Sequence, residues 1–313
     1  MKTRSVSRRI CLSAVPLAAA VLLSTPPVAA QEREGSFERT LKVTGAVELS
    51  VVGGSGRIRV EPGAAGAVRV SARLRAGNGW FARSDVEARI RKIEQNPPIE
   101  QQGNIVRIGH FTDQDLARDV SISYDVTVPA DTKVMARNGS GSIVIGAVKG
   151  AVDASNGSGG IDVDGAASLE AHTGSGSIRA TAIAGPLAAH SGSGGITAAQ
   201  SGPGDVNVSA GSGSVRVTGV NGSARINTGS GGIEIEGRPT GPWSVNAASG
   251  SVEVALPADA AFDVDAHSSS GSVSSAHPVT MVGTIERHGL AGKVRGGGPL
   301  VKISTASGSI RIR

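Results

Sequence analysis

Asn138-Gly139-Ser140-Gly141-Ser142-Ile143 is one copy of a phrase that the chain writes ten times: a turn of small residues ending in Gly, one further residue, then Ile or Val. The other copies end at Ile58, Ile161, Ile178, Ile196, Val215, Ile233, Val252, Val273 and Ile310. From 143 to 273 the steps are 18, 17, 18, 19, 18, 19 and 21 residues. A nearly fixed period of this size, in sequence with strand chemistry, identifies a solenoid. Each repeat is one coil that buries its apolar side only by stacking on its neighbours.

The phase of the coil follows when every copy is aligned on its Ile or Val, taken as position zero. Minus nine holds Val134, Val152, Leu169, Leu187, Val206, Ala224, Trp243, Val264 and Val301, and minus seven holds Ala, Val or Ile in all nine of these coils. Minus eight, between them, is mixed: Met135, Asp153, Glu170, Ala188, Asn207, Arg225. Zero and plus two are mostly apolar and plus one mostly polar (Asp162, Arg179, Thr197, Arg216, Glu234, Glu253). This period-two alternation predicts two short strands per coil, with one face of each turned inward. The Gly-Ser-Gly phrase is the corner between them. A second corner carries Gly150, Gly185, Gly204, Gly222 and Gly241 at minus eleven, where glycine allows a positive φ or a close backbone approach. Ser and Gly alternate at minus one, which reads as neighbouring corners packed in two ways. The expected fold class is all-β: a right-handed parallel β-solenoid of ~18-residue coils, the hand following the crossover rule for parallel strands.

Four segments follow. Residues 1–30 read as an export signal: a basic start (Lys2, Arg4, Arg8, Arg9), an apolar run Ile10–Leu23 too short to span a membrane, and Val28-Ala29-Ala30 before Gln31. Arg8-Arg9 leaves a twin-arginine route open beside the general one. Residues 31–130 read as an N-terminal β segment capping the solenoid. Its strands are Val43–Val51, Arg57–Val60, Ala67–Arg75, Ile105–Gly109 and Val120–Val128. One helix interrupts them, capped by Ser84 with Glu87 completing a capping box, lined by Val86, Ile90 and Ile93, and ended by Asn96-Pro97-Pro98. Residues 131–256 are the regular coils. Residues 257–313 are irregular, with a degenerate copy at Gly292-Lys293-Val294 and Ser304–Arg313 closing the chain as the last coil.

Removing the signal changes the charge. All four of its charges are basic, so 31 − 4 = 27 Lys and Arg face 26 Asp and Glu, and the net charge falls from +5 to +1. A nearly neutral chain gives no support to nucleic-acid binding. Cys11 is the only cysteine and leaves with the signal, so the mature chain carries neither disulfide nor thiol, which suits an oxidising envelope. Aromatics are 2% of the chain against 45 glycines, a composition that fits a narrow stack of Val, Ile, Leu and Ala better than a broad globular core.

The repeated Gly-Ser-Gly-Ser-Ile-x-Ile phrases, the Val128-Pro129 junction before the first regular coil, and the closing Thr305-Ala306-Ser307-Gly308-Ser309-Ile310 resemble the bacterial putative-adhesin domains of unknown function with β-strand repeats. The resemblance covers residues 40–313. It implies an exported single-stranded β-helix with an adhesin-like role, and it brings no catalytic residues.

Candidate chemistry is sparse. His172 and His190 share the minus-six position in adjacent coils, beside Ser155 and Ser209. Two imidazoles in register could bind a metal, but no third His, Cys or carboxylate adjoins them in that column. A surface ladder is expected, with no metal and no cofactor. Asp153 and Glu170, and Glu234 and Glu253, are carboxylate pairs at the spacing of a retaining glycosidase or a weak cation site. The sugar-stacking aromatic such an enzyme needs is missing, since Trp243 falls at an inward position. The serine column (Ser140, Ser158, Ser175, Ser193, Ser212, Ser230, Ser249) has no His and acid beside it, and the Gly-Ser-Gly turns lead into strands rather than a helix, so neither a nucleophile nor a phosphate loop is read there. If a catalytic site exists it lies in 75–120 or 275–300, where Asp113, Asp115, Asp119, His277, Glu286 and His288 occur. The expected function is a non-catalytic exported scaffold or adhesin-like binding protein of the periplasm or cell surface. Its partner would be a glycan or an envelope protein, not nucleic acid, and the mature chain holds no transmembrane segment. The alternatives are an accessory in envelope-stress sensing and a carbohydrate-active β-helix enzyme.

Overall fold

The computed structural model describes residues 34–77, 83–281 and 288–313. Residues 1–30, read from sequence as an export signal with Cys11, lie outside them. Among the described residues strand follows strand, and one α-helix, Arg83–Gln95, interrupts the run. Among the described residues no helix is long and apolar enough to cross a membrane.

The regular coils stack in parallel and in phase. Ile143, Ile161, Ile178, Ile196, Val215, Ile233 and Val252 stand side by side in one sheet face, each the register partner of the next. Val134, Val152, Leu169, Leu187, Val206, Ala224 and Trp243 do the same in the facing sheet. The minus-nine, minus-seven, zero and plus-two residues of these coils are all buried, as the alternation requires. Each large apolar side chain so buried contributes roughly 2 kcal/mol, and it does so only because the next coil covers it. Stability therefore resides in the stack and not in any one coil.

The corner explains the phrase that repeats. Glycine at minus two has φ between +106° and +149° in every regular coil from Gly141 to Gly250. A Cβ at any of them would stand 2.0–2.4 Å from the carbonyl oxygen of the corner glycine in the preceding coil. Both the backbone conformation and the close approach exclude other residues. The second corner needs glycine only for the approach: a Cβ at Gly150 would meet the Thr132 oxygen at 2.1 Å. The alternation of Ser and Gly at minus one has no consequence for the ladder. Position-zero N–H groups donate to the minus-one carbonyl of the next coil at 2.9–3.0 Å throughout, because a Cβ there points past the neighbour, 3.3–3.5 Å from the following serine oxygen.

A buried polar column lies at minus five. Asn138, Asn156, Thr173, Ser191, Thr228 and Thr305 are buried among apolar neighbours. Each donates to the corner-glycine carbonyl of the adjoining coil: Asn138 Nδ2 to Gly56 at 2.9 Å, Asn156 Nδ2 to Gly141 at 2.6 Å, Thr173 Oγ1 to Gly159 at 3.0 Å, Ser191 Oγ to Gly176 at 2.9 Å, Thr228 Oγ1 to Gly213 at 3.1 Å and Thr305 Oγ1 to Gly250 at 2.9 Å. The positive-φ corner turns a carbonyl away from the sheet ladders, and this column satisfies it, as buried polar groups require. Ala210 and Ala247 occupy the same column without a side-chain donor.

Both ends depart from chain order. Ile58 lies between Tyr124 and Ile143, and Leu49 between Val106 and Val134. The first coil of the chain is thus inserted between the second and third, as part of the solenoid rather than a cap on it. The cap proper is Ala67–Ala76, antiparallel on Val120–Pro129, followed by Glu34–Lys42, antiparallel on Ala67–Ala76. The helix packs on these strands through buried Val86, Ile90 and Ile93, and Ser36 N donates to Glu94 Oε1 at 2.8 Å. Two expectations are corrected here. Of the strand expected over Val43–Val51 only the part from Glu48 is strand: residues 43–47 link the strand ending at Lys42 to the strand Glu48–Ser55, with a bend at Gly45 between buried Val43 and Val47. Ser84 is the second residue of the helix and not its cap, and its side chain lies outside the described residues. Glu87 pairs with Arg91 at 3.8 Å.

The carboxyl end mirrors this insertion. Val252 adjoins Ile310 and Ile310 adjoins Val273, while Val301 lies between Trp243 and Val264. The closing segment is therefore second from the end of the stack, not the last coil as read from sequence. Nor is Gly292-Lys293-Val294 a degenerate parallel coil. The strand Gly289–Val294 runs antiparallel on Phe262–Ser268, and Val279–Met281 runs antiparallel on it in turn. With the parallel side of Phe262–Ser268 taken by the C-terminal strand, an antiparallel partner covers its other edge, which would otherwise be open to pairing with another chain.

Candidate functional site

The minus-six column points outward on the face that precedes the corner. In stacking order it runs Arg137, Ser155, His172, His190, Ser209, Asn227, Asn246, Ser304 and His267. Beside it the minus-four position is glycine in successive coils (Gly139, Gly157, Gly174, Gly192, Gly211, Gly229), so no side chain rises there. A shallow groove results. One stretch of about 560 Å³ runs from Val52 to His190, and a second of about 480 Å³ runs from His190 to Ala248, so the two share His190.

The groove wall is a hydrogen-bonded row. His190 Nδ1 is 2.6 Å from Ser209 Oγ, Asn246 Nδ2 donates to Asn227 Oδ1 at 3.0 Å, and Ser304 Oγ donates to Asn246 Oδ1 at 2.7 Å. His172 and His190 are register partners with ring centroids 6.1 Å apart and planes tilted by 46°. Their nitrogens turn to different partners, since His172 Nε2 lies 3.2 Å from Glu170 Oε1. Among the described residues no cluster of three His, Cys, Asp or Glu side chains could hold a metal ion. The amides of Asn227 and Asn246 carry this row and were not singled out in the sequence. Their shared phase with the two histidines was the available signal.

The carboxylate pairs are in register, and three of their four carboxylates are engaged. Asp153 adjoins Glu170, whose carboxylate meets His172. Glu234 adjoins Glu253 on the opposite face, beside an open depression of about 440 Å³. Glu234 pairs with Arg216 at 2.7 Å, and Glu253 with Arg313 at 2.6 Å. Both carboxylates are thus occupied by guanidinium groups. Trp243 is buried, with Nε1 donating to the Gly222 oxygen at 3.0 Å, so it offers no stacking platform. The serine column is exposed and in register from Ser140 to Ser249. Ser223 donates through Oγ to Asp205 Oδ1 at 2.6 Å, which holds that carboxyl below its ordinary range, and Arg238 does the same for Asp259 at 2.8 Å.

The described residues of the irregular segments do not converge. Asp113 caps a short 3-10 helix, accepting from Asp115 N at 3.0 Å, and Asp119, at φ 59°, lies 4.0 Å from Arg89. His277 meets the ring of Phe262 edge-on at 5.5 Å, and His288 Nδ1 lies 2.5 Å from the Gly271 oxygen. Glu286 lies outside the described residues. The first group sits at the amino end of the stack and the second at the carboxyl end, about ten coil spacings or roughly 48 Å apart.

No curated protein matches the chain. Among the solved structures that match are three sharing 12–14% identity with it. One, a putative cell adhesion protein from Clostridium sporogenes, covers 90% of this chain and 99% of its own, at 12% identity and a TM-score of 0.23. A putative adhesin from Bacteroides fragilis covers 89% and 97%, at 12% and 0.26. A putative lipid binding protein from Parabacteroides distasonis covers 89% and 97%, at 14% and 0.33. The family model described as Toastrack DUF4097 matches residues 108–313, well over half of the sequence, and with its stacked strands and repeated corner this chain belongs to that family.

Proposed function

We propose that the protein is an exported, non-catalytic, adhesin-like β-solenoid that binds an uncharged, hydroxyl-rich envelope ligand along its minus-six groove. The observation that carries the reading is the row of imidazole, hydroxyl and amide groups from His172 to Ser304, beside a floor that is glycine backbone as far as Gly229. Such groups exchange hydrogen bonds with sugar hydroxyls at little desolvation cost, and they recur about every 4.8 Å along the stack. Right-handed winding with ~18-residue coils, and a periplasmic or cell-surface location, belong to the same reading.

The test is sedimentation of the purified protein with a panel of envelope glycans and peptidoglycan, with mass spectrometry of the supernatant. Binding without release of fragments is expected. Asn227→Arg, which sets a bulky cation in the groove, should weaken binding about tenfold, or ~1.4 kcal/mol, with the melting temperature kept. Arg179→Ala on the other face should leave binding unchanged. Turnover abolished by changing any of Asp113, Asp115, Asp119, His277, Glu286 or His288 would replace the reading with an enzyme.

A further inference from the structure

The C-terminal strands Leu300–Ser307 and Ile310–Ile312 fill a slot that the rest of the chain builds without them. One wall is the coil of Trp243 and Val252, the other the coil of Val264 and Val273. Those two coils are consecutive in sequence yet stand two strand spacings apart, roughly 9.6 Å. The arm is recognised by pattern: Val301, Ile303, Thr305, Ile310 and Ile312 are buried, and Gly308 takes the left-handed corner at φ 143°. Both sets of pairings run to residues 243–275, and nothing in them depends on which copy of the chain supplies the arm.

The link to the arm is short and left-handed. Between Val294 and Leu300 the chain must pass from one side of the strand Phe262–Ser268 to the other. Arg295, Gly296 and Gly297 do this with φ of 50°, 88° and 91°. For Arg295 that conformation is strained. A terminal element on a short strained hinge, with repeat-equivalent contacts, is what exchanges between identical chains.

We propose that the C-terminal arm is an exchangeable element and that a second copy of this chain is its partner, two copies forming a closed dimer by donating their arms to each other's slots. Each dimer then carries two minus-six grooves, so a repetitive surface is held at two points and the second contact becomes intramolecular. The inference does not depend on what the groove binds.

Asn246 and Ser304 face each other across the slot, Ser304 Oγ to Asn246 Oδ1 at 2.7 Å. In a Cys11→Ser background, chains carrying only Asn246→Cys are mixed at high concentration with chains carrying only Ser304→Cys, incubated, and oxidised. A disulfide-linked heterodimer should form well above the level given by Ser209→Cys mixed with Asn227→Cys, a neighbouring pair within the fixed coils. Heterodimer no higher than that control would overturn the proposal. Deleting residues 295–298 leaves two Cα steps between Val294 and Leu300, about 7 Å at full extension against roughly 9.6 Å across one strand, and should convert monomer to dimer in light scattering. A folded monomer of the shortened chain would also overturn it. Should that chain not fold, the mixed-cysteine result on the intact link decides.

Discussion

The middle of this molecule and its two ends solve the same problem in opposite ways. From Lys133 to Ala255 the order of coils in the stack is their order in the chain, each coil pairs with the next, and one corner geometry is copied without change. At each end one coil is inserted out of order, and the last parallel strand is sealed by antiparallel ones. The middle is governed by contacts between near neighbours in sequence. The ends depend on pairings that close long loops. A solenoid whose ends matched its middle would present open strand edges for further growth, and the antiparallel seals remove them.

The difference should be largest for a buried charge. Ile178→Asp places a carboxylate between two covering coils, and a loss of about 4 kcal/mol or more is expected in denaturant melts. Val273→Asp, at the same phase in the terminal coil but only half-buried, should cost about 1 kcal/mol, since its carboxylate can reach water. Equal losses would mean that the terminal coil is as covered as the middle. Corner glycines come next. Gly194→Ala combines a φ of +144° with a contact at 2.2 Å and should cost about 2 kcal/mol or more. At minus four, Gly192→Ala would meet the Gly174 oxygen at 2.5 Å, whereas Gly54→Ala, at the same phase in the inserted first coil, meets nothing within 4 Å and should be nearly neutral.

The minus-five column gives a smaller effect of either sign. Thr228→Val leaves the Gly213 carbonyl without its donor and should cost about 1 kcal/mol. Ala210→Thr supplies a donor where the column lacks one and should stabilise by up to about 1 kcal/mol; a loss would mean that the site cannot hold the larger side chain. Arg179→Asp, outward on the second face, should change stability by well under about 1 kcal/mol. If it cost more than Ile178→Asp, the inward and outward registers would be exchanged.

These contrasts also mark what the sequence could and could not convey. The coil phase was legible because alternation at minus nine, minus seven, zero and plus two is local and is repeated in coil after coil. Minus five belongs to the same inward series, but Asn, Thr and Ser there read as surface residues. Only the corner carbonyl, turned inward by a positive φ, makes them core. The order of coils at the ends was not legible because Ile58 and Ile310 carry the same phrase as any other copy, and nothing local says which neighbours a copy will find. Gly292-Lys293-Val294 misled for the same reason, since its alternation suits an antiparallel strand equally well. For the groove, the register of His172 and His190 was readable, but the hydrogen bonds that join Asn227, Asn246 and Ser304 depend on side-chain geometry that only the stacked coils define.

The out-of-order insertion is tested most directly on the second face, where Glu253, Arg311 and Ser274 stand in that stacking order. In a Cys11→Ser background, three double-cysteine variants are oxidised at low concentration and disulfide closure within the monomer is measured. Glu253→Cys with Arg311→Cys, and Arg311→Cys with Ser274→Cys, join adjacent strands and should close readily. Glu253→Cys with Ser274→Cys spans two strand spacings, roughly 9.6 Å and beyond disulfide reach, and should stay reduced. Closure of that third pair, with the first remaining reduced, would show that the stack follows chain order to its end and would contradict the fold described here.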